Sequence, residues 1–193
     1  MSRTNYIFVD FESVRPADLD RIAGRPARLI LVLGEQDKKL PIALVKQLLQ
    51  NASQVSLVES GRSGKNALDL VLAHYIGEAK KVDPHGYFHI ISKDRDFDAL
   101  IGHLKDSGTL AARRTCLGEI PILMTSTERV ALLTAHFKAN SKNRPKKRSS
   151  LESMIQVVFG RSLSAAELED TIQSLIRGNF LSLSDKGTVS YGM

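Results

Sequence analysis

The sequence predicts an α/β protein: a three-layer α/β/α arrangement in which helices cover both faces of a parallel sheet, followed by a small second domain. Three observations predict it. Short apolar runs rich in β-branched residues alternate with helical patterns between residues 5 and 137. That order calls for parallel strands joined by crossover helices. A tract dense in Lys and Arg then interrupts the pattern, and two helices and a hairpin follow it.

Tyr6 to Val9 and Arg28 to Leu33 are apolar runs closed by Asp10 and Gly34, and each reads as a buried strand. Pro16 to Ile22 reads as a short helix between them. Pro41 to Gln50 places proline at a first helical position, with apolar residues at helical spacing behind it. Gln54 to Val58 alternates weakly as a third strand. After the Gly/Ser loop 60–66, Leu68, Val71, Leu72, Tyr75, Ile76 and Ala79 make one apolar helix face. Tyr87 to Ile91 reads as a strand and Phe97 to Leu104 as a helix. Ile120 to Met124 is expected to be the last strand, and Glu128 to Phe137 the last helix of the first domain, residues 1–137.

Residues 138–150 are expected to be a basic linker. They hold six Lys/Arg and no acid, which accounts for the whole net charge of +6 and leaves the rest of the chain balanced. Residues 151–193 form the small domain. Leu151 to Phe159 and Ala165 to Ile176 read as helices, the second opened by a capping box of Ser164 and Glu167. Phe180 to Ser184 and Thr188 to Tyr191 flank the turn signal Asp185-Lys186-Gly187. The order is that of a truncated winged helix.

With 42% apolar and 25% charged residues, the composition is globular. Cys116 is the only cysteine, which excludes an internal disulfide and a Cys-based metal site. The N-terminal apolar run is too short for a signal-peptide core, and no stretch is long enough for a membrane span. A cytoplasmic protein with no membrane partner and no organic cofactor is expected. The five histidines show no ligand spacing. The loop Gly61 to Asn66 lacks the spacing of a nucleoside-triphosphate phosphate loop.

The acids carry more. In an open parallel sheet, ligands collect at the carboxyl ends of the strands. Asp10 ends the first strand, with Glu12 two residues on. Asp69 lies in the first turn of the helix after the Gly/Ser loop. Asp94, Asp96 and Asp98 follow the fourth run. Each acid alone reads equally as a turn residue, a helix cap or a first-turn acid. Together, three segments deliver carboxylates to one edge, an arrangement suited to one or two hard divalent cations and to phosphodiester cleavage.

YIFVDFESV, NALDLVLAHYIGE and HIISKDRDFDALIGHLKDSG resemble the first strand, central helix and S-x-D segment of PIN-like nucleases of the NYN type. The resemblance covers roughly residues 5–137. It implies a Rossmann-like sandwich and an Mg²⁺- or Mn²⁺-dependent endoribonuclease. It implies that Asp10, Asp69, Asp94 and Asp98 hold metal, with Asp96 the alternative to Asp98. Ser13 and Lys93 depart from the pattern, which has asparagine and glycine there. RNA, or DNA, is the expected partner, met by Arg62, Lys65 and Lys93 and by Lys142, Arg144, Lys146, Lys147 and Arg148 of the tract. The alternative is an inactive scaffold that regulates by binding nucleic acid through the tract and C-terminal domain. A homodimer is left open.

Overall fold

The computed structural model describes residues 3–16, 18–61, 64 and 66–192. Five strands, β1 (Asn5–Asp10), β2 (Ala27–Leu33), β3 (Val55–Glu59), β4 (Tyr87–Ile91) and β5 (Leu110–Arg114), form one parallel sheet in the order β3-β2-β1-β4-β5. All of β1 is buried, as a central parallel strand must be.

Alternate residues of the strands feed two cores. Ile7, Val9, Leu29, Leu31 and Leu33 pack with Leu44 of α1 (Ile42–Gln50) and with the 3-10 turn Leu19–Ile22. Tyr6, Phe8, Phe88 and Ile90 pack on the opposite face. There they meet Leu68, Leu72 and Ile76 of α2 (Ala67–Val82) and Phe97, Ile101 and Leu104 of α3 (Phe97–Asp106). The period-2 pleat thus separates two helical layers, giving the three-layer α/β/α fold expected from the sequence.

Two elements differ from expectation. The run Ile120 to Met124 is not a strand: Pro121–Leu123 form a 3-10 turn whose side chains plug the first core. Pro121 has no amide to give a ladder. The fifth strand is instead Leu110–Arg114, whose Ala-Ala-Arg-Arg composition carries little strand propensity. It is held as an edge by pairing to β4.

The chain divides into compact units at 123–124, not at 137–138. The expected last helix of the first domain is α4 (Ser126–Ala139), and it belongs with the C-terminal residues. Its Leu133 and Phe137 share a core with Leu151 and Ile155 of α5 (Arg148–Val158) and with Ile172 and Leu175 of α6 (Ala165–Arg177). Arg129 of α4 is buried among polar partners. It donates to Thr171 Oγ1 (3.0 Å), Met124 O (2.8 Å) and Asp170 Oδ2 (3.4 Å). The Ser164–Glu167 capping box is present, and Thr125 and Glu128 form a second at the start of α4.

Residues 138–150 are not a free linker. Ser141–Asn143 form a 3-10 turn, and Arg144 Nε donates to Phe137 O (2.9 Å). A hairpin of β6 (Leu181–Leu183) and β7 (Val189–Tyr191) closes the unit. Lys147 makes an antiparallel bridge to Thr188 beside it, Val189 N donates to Lys146 O (3.0 Å), and Tyr191 Oη donates to Pro145 O (3.0 Å). Burial pushes the Tyr191 hydroxyl up to about 12. No helix among the described residues is long and apolar enough to cross a membrane.

Candidate active site

From β1 the chain builds β2 and β3 on one side of the sheet, then crosses to build β4 and β5 on the other. The carboxyl ends of β1 and β4 therefore border a topological switch point, where the loops part and leave a crevice. Val9 lies in register with Ile91, so Asp10 and Ser92 emerge side by side.

Asp10 is only 5% exposed. Its Oδ2 accepts a hydrogen bond from the buried Ser92 hydroxyl (2.7 Å), and its Oδ1 accepts from the Ser13 amide (3.1 Å). Ser92 Oγ in turn accepts from the Asp94 amide (3.0 Å), and Asp94 Oδ1 from the Asp96 amide (2.9 Å). Ser13 has a further part: its hydroxyl accepts from the Lys93 amide (2.8 Å), tying the β1 loop to the β4 loop. These short-range bonds fix one buried carboxylate and aim the next.

The crevice has a volume of about 470 Å³, and five carboxylates line it: Asp10, Glu12, Glu35, Asp69 and Asp94. They come from the ends of β1, β2 and β4 and the start of α2. Glu12 rests against the backbone of Gly34, where a Cβ would overlap its carboxylate. Asn66 opens α2 in the left-handed conformation (φ 64°), which asparagine tolerates better than most residues. Asp69, one turn in, has its carboxyl pushed above the ordinary value by burial and then by the negative charges of Asp10, Asp94, Asp96 and Glu12.

Asp98 does not join this group. It forms a two-pronged ion pair with Arg113 of β5, at 2.7 and 3.2 Å, and Arg113 Nη1 also donates to Ser92 O (3.1 Å). The guanidinium bond holds the Asp98 carboxyl below its ordinary range. Asp96 stands at the start of α3, outside the crevice lining but close enough to raise Asp69. The Lys93 side chain is exposed and also outside that lining. Arg62 and Lys65 lie outside the described residues. In the C-terminal unit Lys142, Lys146 and Lys147 are exposed, whereas Arg144 stacks over Tyr191 (5.2 Å) and Arg148 pairs with Glu152 (2.8 Å) and Glu169 (2.5 Å).

Glu35 was not foreseen, although the signal was present: it stands just past a strand end, as Asp10 and Asp94 do.

All five lining carboxylates are hard oxygen donors, the chemistry that Mg²⁺ and Mn²⁺ prefer. Among the described residues, no three acidic, histidine or cysteine side chains form a group able to hold one ion together. Mg²⁺ usually takes one or two carboxylates and keeps several waters, so the donor set fits an ion held partly through water.

No curated protein and no solved structure matches the chain. PIN domains are generally nucleases that act on nucleic acids with divalent metals. The family model described as PIN domain matches residues 4–114, which spans β1 through β5 and every acid of the crevice, and on that match the chain belongs to the PIN domain family.

Proposed function

We propose that the protein is an Mg²⁺- or Mn²⁺-dependent endoribonuclease of the NYN type, hydrolysing RNA phosphodiester bonds at the crevice between β1 and β4. The observation that carries this reading is the convergence of five carboxylates from four segments on one switch-point crevice, with Asp10 buried and held there. Such a cluster repels itself, and the raised proton affinity of Asp69 comes first from burial and then from that repulsion. A cation removes the penalty.

Asp10, Asp69 and Asp94 are the residues we assign to hold the ion, with Glu12 and Glu35 at its margin. When bound, the ion supplies a more acidic water and a positive charge facing the phosphate. Ser92 and the Ser13 amide fix the Asp10 carboxylate, so little side-chain entropy is lost when it binds. Asp98 is left out of the assignment, because Arg113 occupies both of its oxygens.

The C-terminal unit has the element order helix, bridge, helix, helix, hairpin, which supports a winged-helix-like reading. We assign it substrate recruitment through Lys142, Lys146 and Lys147. Its α6 carries Glu167, Glu169 and Asp170 and is a poor surface for a polyanion.

Labelled single-stranded RNA incubated with the protein and Mn²⁺ should be cut internally, and Asp10→Asn should slow the cutting about 100–1000-fold. Equal cutting by the variant would sink the assignment. A binding scaffold is the rival reading, favoured by the lack of a three-acid group among the described residues. It requires RNA to stay intact with Mn²⁺ while affinity survives Asp10→Asn and falls steeply with salt.

A further inference from the structure

A second cavity, of about 650 Å³, adjoins the acidic crevice. Two turns divide their residues between the two. In the loop after β1, Asp10, Glu12 and Ser13 face the crevice, whereas Phe11, Arg15 and Pro16 line the second cavity. In the turn after β2, Glu35 faces the crevice, Asp37, Lys38 and Lys39 line the cavity, and Gln36 lines both. The two spaces are therefore neighbours along a shared wall, one residue thick, and they differ in sign. The crevice is lined by acids. The cavity is rimmed by Arg15, Lys38 and Lys39, and its one acid, Asp37, is already paired.

Arg15 is held in place. Its guanidinium lies 4.1 Å from the centre of the Phe11 ring, and its Nη1 pairs with Asp37 Oδ1 at 2.7 Å. The Asp37 side chain is 4% exposed and its Oδ2 accepts from the Gly34 amide (3.1 Å), so the anchor is rigid. The Arg15 side chain keeps 58% of its surface open, so one flat cationic face remains uncovered. Beside it Phe11, Pro16, Pro41 and Leu44 supply apolar walls.

We infer that this cavity is a nucleotide subsite, taking one base of a single-stranded RNA against the open face of Arg15 with the adjoining phosphate at Lys38 and Lys39. Guanidinium planes stack unpaired bases, and the size suits one base and its sugar. A chain with one phosphate at the crevice meets a cationic, apolar pocket as its next station. The inference rests on the nuclease reading of the crevice.

The test is binding, read by fluorescence anisotropy at low ionic strength on the full chain carrying Asp10→Asn, without added metal, so that the RNA is not cut. Labelled tetrauridylate is compared with an abasic ribose-phosphate chain of equal length. The bases should tighten binding about tenfold. Ala43→Trp, which fills the cavity from the exposed side of α1, should bring that ratio close to one. Lys38→Ala with Lys39→Ala should weaken both ligands alike and flatten the salt dependence. Equal affinity for the two ligands, a ratio untouched by Ala43→Trp and by Arg15→Ala, or no binding at all would overturn the subsite. The nuclease reading fails separately if the ratio holds while the native chain with Mn²⁺ leaves RNA intact. The subsite fails separately if Asp10-dependent cutting occurs with a ratio of one.

Discussion

The carboxyl edge of the sheet and the C-terminal unit handle charge in opposite ways. At the edge, Asp10, Glu12, Glu35, Asp69 and Asp94 line one crevice, where burial and then the neighbouring negative charges raise Asp69. In the C-terminal unit the arginines Arg129 and Arg148 are matched. Arg129 sits between Thr171, Asp170 and Glu167, and Arg148 between Glu152 and Glu169. Matched charges are what folding alone favours. Unmatched ones in a crevice cost stability and persist where a ligand compensates them. Asp98 is the informative intermediate: an acid of the same sequence segment as Asp94, it is matched by Arg113.

The contrast breaks first at Asp10. Asn there should reduce RNA cleavage about 100–1000-fold if the proposed assignment of the cation to this buried carboxylate holds. Single-turnover cleavage with Mn²⁺ checks it. The next largest effect lies in the matched region. Arg129→Met leaves Thr171 Oγ1 and the Met124 carbonyl without this donor, and should cost about 2–3 kcal/mol, or roughly 5–10 °C in Tm. Thermal melting reads it, and an unchanged Tm would mean the pairing contributes nothing.

Asp69→Asn should act in the opposite direction. The folded chain raises this carboxyl above its unfolded value, so the contribution is intact below the ordinary carboxylate pKa. It is lost as pH rises through the raised value. At pH 7 without metal, the variant should melt slightly higher than the parent, by roughly 1–2 °C. Near pH 3 the two should coincide. A lower Tm at pH 7 would show that Asp69 is held by attraction rather than strained by burial and repulsion. Asp98→Asn should have the smallest effect on catalysis, less than about threefold, since its carboxylate faces Arg113 and is well exposed.

Much of this was legible in the residues. Buried parallel strands need near-continuous apolar runs, so β1, β2 and β4 stood out, and Asp10, Asp69 and Asp94 followed from where those runs and the central helix meet the edge. β5 was hidden because Leu-Ala-Ala-Arg-Arg becomes a strand only by pairing with β4. Ile-Pro-Ile-Leu-Met misled because an apolar run reports burial, not backbone shape. Helix periodicity gave α4 an apolar face but not the core it enters. Lys, Ser and Pro in 138–150 gave solvent preference but not the backbone pairing of Lys146 and Lys147 with the hairpin. The sequence does not separate Asp96 from Asp98, because Arg113, which pairs with Asp98, is 15 residues from it in sequence.

The most direct measurement is Mn²⁺ binding to the native chain, Asp10→Asn and Asp98→Asn, read as the rise in Tm across a Mn²⁺ titration. Native protein and Asp98→Asn should rise together, and Asp10→Asn should not respond. A loss of response in Asp98→Asn equal to that in Asp10→Asn, or a full response in Asp10→Asn, would contradict the assignment of the crevice.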